Sequence, residues 1–285
     1  MVRLTRLFVL TAPASALRVA VLGGSGFVGS RVCKELVHSG CDVMSVSQSG
    51  AAPAWCADEE WASSVEWKSV NLLRGARENI GAALTDADAI VSCVGAIGFD
   101  RQGLLQGNGK ANVEAANAAP ASVSRYVLVS VASEVEESRG WLPGFFTGYF
   151  DGKQQAEEAI AEAMADDGKS FTLVKPSFIY GGDSFGLFPP RVTTGYGSAI
   201  EELLTAGPIS ALADALPGLL KVALRPPVSV EAVAGACAKA ALGEVGEADL
   251  DGTKEINAAA GQPAATGLSD LGKMAMQKVE ALKAE

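Results

Sequence analysis

Seven residues, Gly23-Gly24-Ser25-Gly26-Phe27-Val28-Gly29, limit what this 285-residue chain can fold into more than any other feature. The residues before them, Leu17 to Leu22, are nearly all aliphatic, as in a strand covered on both faces of its sheet. Val28, Val32 and Leu36 then recur every four residues and Gly40 supplies a stop, which is the pattern of a helix. Strand, glycine turn and helix in this order make a cradle for a pyrophosphate. Gly23 permits the tight turn, Gly26 lets the backbone approach the phosphates, and Gly29 lets helix and strand pack closely. The helix N-terminus adds unpaired N–H groups and a partial positive charge. Every residue from Gly23 to Gly29 is therefore a candidate dinucleotide contact.

The alternation continues along the chain. "CDVMSVS", "VEWKSV", "DAIVSCVG", "RYVLVSV" and "FTLVKPSFIYG" read as further strands. "NGKANVEAANAA" and "KQQAEEAIAEAMADDG" read as helices, with Ala156, Ile160 and Met164 sharing a face. Strand alternating with helix over residues 17–182 predicts an α/β fold, a doubly wound parallel sheet of the Rossmann type. Residues 183–227 are rich in Pro, Gly and aliphatics, and are expected to form a small C-terminal cap or substrate lobe over the ligand cleft. "SVEAVAGACAKAAL" predicts a helix and "TKEINAA" a short strand, rejoining or flanking the sheet by residue 260. The segment 261–285 is expected to end in a surface helix.

Composition removes several function classes. A net charge of −10 and a pI near 4.8, without a Lys/Arg-rich run, argue against a nucleic-acid partner. The five cysteines, Cys33, Cys41, Cys56, Cys93 and Cys237, lack C-x-x-C spacing and read as reduced, mostly buried thiols rather than a disulfide framework or zinc site. The single histidine, His38, stands at the expected end of the first helix, so neither a histidine triad nor a His-rich metal site is expected. The first 34 residues contain no acid, carry Arg3, Arg6 and Arg18, and include the small-x-small sequence Ala14-Ser15-Ala16. Residues 1–16 thus read as a targeting segment.

Two further places carry chemistry. An NAD site usually puts Asp or Glu at the end of the second strand, where it binds the ribose. Here stand Ser47, Gln48 and Ser49, which favour NADP(H) by not repelling a 2′-phosphate, with NAD(H) as the alternative. Further on, "GYFDGKQQAEEAI" places Tyr149 four residues before Lys153, so both side chains share one helix face. A phenol of pKa near ~10 is a poor acid–base catalyst at neutral pH, and an adjacent ammonium lowers that pKa.

In order, "VLGGSGFVG", "SCVG", "NGKANVEAA", "RYVLVSV", "GYFDGKQQAEEAI", "KPSFIYG" and "PPVSVEAVA" resemble the atypical, extended-like short-chain dehydrogenase/reductases, which share the G-x-x-G-x-x-G spacing. Within them the resemblance is to plastid, plastoglobule-associated and mitochondrial proteins of isoprenoid quinone metabolism, a group similar to the NADPH-binding accessory subunit of respiratory complex I. It covers roughly residues 17–260. The resemblance implies that Gly23, Gly26 and Gly29 hold the pyrophosphate, and that Cys93, Val94 and Gly95 border the adenine-side ribose. It further implies that Pro176, Phe178 and Ile179 border the nicotinamide, that Tyr149 is the acid or base, and that Lys153 is its helper and a ribose ligand. Two positions depart from the pattern. The catalytic serine falls on Ala132, with Ser130 and Ser133 flanking it as substitutes, and the arginine before Pro176 is Lys175.

The expected function is an organellar, chloroplast or alternatively mitochondrial, NADP(H)-dependent oxidoreductase. It would act on a small apolar or lipid-like carbonyl or quinone, with membrane-surface or protein-complex association. The competing class is a non-catalytic NADPH-binding assembly subunit.

Overall fold

The computed structural model describes residues 16–182, 186–187, 190–191, 193–205, 224–246 and 249–262. Nearly all of the expected targeting segment, most of the expected cap and nearly all of the expected C-terminal helix fall outside them.

The strands are β1 (Arg18–Leu22), β2 (Asp42–Ser47), β3 (Val65–Ser69), β4 (Ala89–Ser92), β5 (Arg125–Val129) and β6 (Ser170–Lys175). Short ones follow: β7 (Ile179–Tyr180), β8 (Gly186–Leu187), β9 (Pro190–Arg191), β10 (Val228–Ser229) and β11 (Leu250–Asp251). The helices are α1 (Gly29–His38), α2 (Glu60–Ser63), α3 (Arg77–Ala83), α4 (Arg101–Leu105), α5 (Ala111–Asn117), α6 (Ser133–Glu137), α7 (Thr147–Ala163) and α8 (Thr194–Thr205). Two more, α9 (Val230–Leu242) and α10 (Gly252–Ala260), close the described chain.

Seven strands form one sheet in the order β11-β6-β5-β4-β1-β2-β3. Its neighbours all run parallel. The side-chain period of two sends Val19 and Val21 into one core, with Val32, Leu36 and Val233 of the helices on that face. Ala20 and Leu22 enter the other, with Ile80, Ala115 and Ile160. Both faces are covered at the centre of the sheet, so β1 and β4 carry no polar alternation, whereas the edge strand β3 (Val-Glu-Trp-Lys-Ser) does. Ile160 is fully buried, and its truncation to alanine costs about 2–5 kcal/mol.

The strand order reverses between β1 and β4, whose C-terminal ends therefore open a crevice at one edge of the sheet. The glycine turn after β1 and the loop after β4 form its walls.

Two readings are corrected. "FTLVKPSFIYG" is two strands, because Pro176 has no N–H to donate; its carbonyl instead accepts from the Ala132 amide at 3.0 Å. "TKEINAA" is helical, the strand being β11 just before it. The Glu255 carboxylate accepts from the Asp251 N–H at 2.9 Å at the helix start, and Thr253, Ile256 and Asn257 are buried along one helical face.

Candidate functional site

The glycine loop is a close-packed turn. Gly23 has φ +75°, its amide donates to the Val46 carbonyl at 2.8 Å, and its own carbonyl accepts from the Gly26 amide at 2.8 Å. A Cβ on Gly29 would overlap that carbonyl, and one on Gly24 would overlap Ser45 of β2. Close approach to the second strand is thus made at Gly24, while Gly29 is required by the loop itself. Gly26 differs from both. A Cβ there would meet only the Gly23 carbonyl, at 3.0 Å, and otherwise open space. No side chain caps the N-terminus of α1, where the Ser30 and Arg31 amides donate to the Gly26 and Val28 carbonyls at 3.1 and 3.0 Å and the helix dipole still favours an anion. Phe27 and Trp55 enclose the guanidinium of Arg31, at 4.8 and 4.5 Å from their ring centres. Ser25, Ser47 and Ser49 form a hydroxyl cluster at the end of β2. Ser25 and Ser47 share a hydrogen bond of 2.8 Å, and Ser47 and Ser49 one of 3.3 Å. Gln48 is exposed, and its carbonyl accepts from Ser69 at 2.9 Å.

The opposite wall is the loop after β4. Cys93 donates its amide to the Leu22 carbonyl at 2.9 Å, and burial pushes its thiol up to about 12. Two fully buried asparagines pin this loop. The Asn108 side chain exchanges hydrogen bonds with the Ala96 backbone at 2.9 and 3.2 Å, and that of Asn112 donates to the Val94 carbonyl at 3.3 Å and accepts from Ser92 Oγ at 2.5 Å. Asn108 lies in a π-helical turn, Gln106–Lys110, between α4 and α5. The sequence did not single out these asparagines, because the backbone groups they hold lie 12 and 18 residues earlier in the chain.

Helix α7 brings the catalytic candidates to the same edge. Lys153 is 5% exposed, and its ammonium donates to the Val129 carbonyl at the end of β5 at 2.7 Å. A Cβ on Gly95 would lie 3.7 Å from that ammonium, so the β4 loop passes beside the lysine with room for no more than an ordinary contact. Tyr149, one turn earlier and partly buried, holds its ring centre 5.9 Å from the lysine nitrogen. The electrostatics reverse the expected direction. Burial pushes the Tyr149 phenol up to about 12. Burial also lowers Lys153 to about 8, against the opposing pull of Glu157 and Cys93. Desolvation outweighs mutual stabilisation in the ligand-free protein.

The serine candidates are engaged elsewhere. Ser130 is buried and donates to the Glu157 carboxylate, and Ser133 opens α6, its amide donating to Asp251 at 3.2 Å. Ala132 is buried between them. Lys175 pairs with Asp249 at 2.6 Å. Phe178 is exposed, its carbonyl accepting from Val228, and Ile179 pairs with Val228 in the β7–β10 ladder. All five cysteines are free thiols, with Cys33, Cys56 and Cys237 buried.

A glycine cradle open at Gly26, a helix N-terminus without a side-chain cap and a wall of β4-end residues at the topological switch point together define a dinucleotide-binding Rossmann protein. Residues 23–193 match the NAD(P)H-binding family, and the chain belongs to it. Over 175 residues it is 37% identical to an uncharacterized chloroplastic protein of Arabidopsis thaliana, a match that covers 60% of this chain and 54% of that one. It is 41% identical over 59 residues to MIOREX complex component 2 of Saccharomyces cerevisiae, covering 20% of this chain and 21% of that protein. The chain thus spans about half the length of the Arabidopsis relative.

Among solved structures, the Bordetella bronchiseptica enzyme WbmH bound to NAD+ superposes with a TM-score of 0.56 at 14% identity, covering 83% of this chain and 75% of that one. UDP-glucose 4-epimerase from Brucella ovis bound to NAD gives 0.56 at 15% identity, covering 85% and 81%. These likenesses establish the fold.

Proposed function

We propose that the protein is an NADP(H)-dependent oxidoreductase acting on an apolar carbonyl or quinone-like substrate, with Tyr149 as proton donor or acceptor. The observation that carries this reading is the junction of Gly95, Val129 and Lys153, one helical turn from Tyr149 and at the crevice edge. A nicotinamide would supply the hydride or accept it. Gly23 to Gly29 would hold the pyrophosphate, and Ser25, Ser47 and Ser49 would take the adenosine ribose with its 2′-phosphate. Lys153 would hold the nicotinamide ribose, and a charged ammonium there stabilises the Tyr149 phenolate left after proton delivery.

An aromatic rim supports an apolar substrate. Ile97, Phe99 and Trp141 are 53%, 71% and 66% exposed. Phe99 meets Phe145 edge-on at 5.6 Å, and Phe145 lies 4.6 Å from Phe146, in the turn that leads into α7. Exposed large apolar groups, with the Phe99–Phe145–Phe146 rings packed before α7, favour an apolar ligand. For an organelle, and a plastid first, the support is the acid-free start of the chain and the chloroplastic relative. Association with a complex or lipid surface is supported by the yeast relative, itself a complex component, and by the same rim.

The test is NADPH binding by calorimetry, followed by NADPH oxidation with apolar ketones and short-chain quinones. Tight binding with turnover is expected. Binding without turnover on any of them supports an assembly subunit instead.

A further inference from the structure

We infer that Arg31 is a phosphate ligand of the dinucleotide site: its guanidinium, held between Phe27 and Trp55, exchanges the Glu231 carboxylate for the cofactor's pyrophosphate. The inference rests on the reading of the glycine loop as a pyrophosphate cradle. Arg31 lies two residues past Gly29, in the first turn of α1. Its side chain folds back toward the loop, and Nη1 donates to the Phe27 carbonyl at 2.8 Å. Phe27 follows Gly26, the loop position where an added Cβ meets only the Gly23 carbonyl, at 3.0 Å. The positive charge is thus carried to the residue beside the phosphate approach. The rings of Phe27 and Trp55 hold it there, 4.8 and 4.5 Å from the guanidinium carbon. Trp55 is itself fixed over the start of α1, because its indole N–H donates to Ser30 Oγ at 3.3 Å.

The guanidinium is short of acceptors. It offers several N–H donors in a planar fork, yet among the described residues it makes one hydrogen bond, to the Phe27 carbonyl. Its ion pair with Glu231 of α9 is long, 3.5 Å from Nε, and the Glu231 side chain is 48% exposed. An arginine kept to staple two helices would grip its carboxylate through both arms of the fork. Arg225 does so in this protein, donating from Nε and Nη2 to the two carboxylate oxygens of Glu134. Arg31 does not. Its Nη2 lies beside Gly182, where an added Cβ would stand 3.3 Å away, so backbone rather than a side chain borders the fork there. A half-exposed carboxylate at this distance is weakly held. A pyrophosphate presents charged oxygens at the positive end of α1, and a planar guanidinium stacked on aromatic rings is suited to take them.

The test is calorimetric titration of full-length protein with NADPH and with NADH, in wild type and two variants. Arg31→Gln should weaken both cofactors alike, by roughly tenfold to a hundredfold, as for a lost hydrogen bond to a charged group. Glu231→Gln removes the competing carboxylate and should tighten both by about two- to fivefold. A mere staple between α1 and α9 predicts the opposite sign for that second variant. Wild-type affinity in folded Arg31→Gln protein overturns the inference. So does a loss confined to NADPH, which would move the guanidinium to the 2′-phosphate. Binding that is unchanged or weakened in Glu231→Gln overturns it too, and this variant is read alone if Arg31→Gln does not fold. Wild-type protein that binds neither cofactor would instead refute the cradle reading, and the inference would fall with it.

Discussion

Gly152 of α7 rests on Gly109 of the π-helical turn, and a Cβ added to Gly152 would lie 2.9 Å from the Gly109 nitrogen. This contact sets the depth of α7 against the sheet. Because the two backbones touch, Lys153 on the next position reaches the Val129 carbonyl at 2.7 Å. Gly148, one turn earlier, is equally tight, since a Cβ there would overlap the Arg101 carbonyl.

Gly152→Ala is therefore expected to lift α7 without removing any polar group. Overpacking of this kind costs about 1–3 kcal/mol. Calorimetry should show a lowered Tm together with weakened NADPH binding, because the lysine is displaced with its helix.

The glycine loop separates folding from binding. Gly26→Val should fold, since its Cβ meets only the Gly23 carbonyl, at 3.0 Å rather than in overlap, but should abolish NADPH binding by filling the phosphate approach. Gly29→Val should unfold or strongly destabilise the loop, because its side chain would meet the Gly23 carbonyl. Thermal denaturation and titration of both variants check the distinction.

Much of this was legible in the sequence. The glycine turn, the aliphatic strands and the four-residue periodicity of α7 are local patterns, and each maps onto a local structure. What escaped depends on packing. The pinning of the β4 loop by Asn108 and Asn112 and the Ser130–Glu157 clamp join residues 12 to 27 positions apart, which no local pattern encodes. The expected lowering of the Tyr149 pKa failed for the same reason, since desolvation is a property of the assembled core. "TKEINAA" was misread because its apolar residues fit a short strand as well as a helix, and the Glu255 contact that opens α10 forms only around Gly252.

On cofactor choice, wild-type protein should bind NADPH more tightly than NADH. Ser47→Asp places a carboxylate in the hydroxyl cluster of Ser25 and Ser49. Like charges at close range repel the 2′-phosphate, so the variant should lose roughly tenfold or more in NADPH affinity. Unchanged preference by calorimetry would reject the assignment of this cluster to the ribose.

The pH dependence follows from Lys153. Its ammonium is charged below about 8 and loses its proton above it, because burial lowers its pKa from 10.5. NADPH affinity should fall as pH rises through that value, by roughly tenfold to a hundredfold, as for a lost hydrogen bond to a charged group. Stability of the ligand-free protein moves the other way. The unfolded lysine keeps its proton where the folded one has released it, so this residue's contribution rises between about pH 8 and 10.5. The difference between wild type and Lys153→Met across that range isolates both effects.

The decisive measurement compares wild type with Tyr149→Phe, recording NADPH affinity and NADPH turnover on an apolar carbonyl substrate side by side. Removing only the hydroxyl should leave affinity within a few fold and cut turnover on the order of a hundredfold, the effect of losing a positioned proton donor. A Tyr149→Phe protein that turns over at the wild-type rate would contradict the catalytic role assigned to this residue.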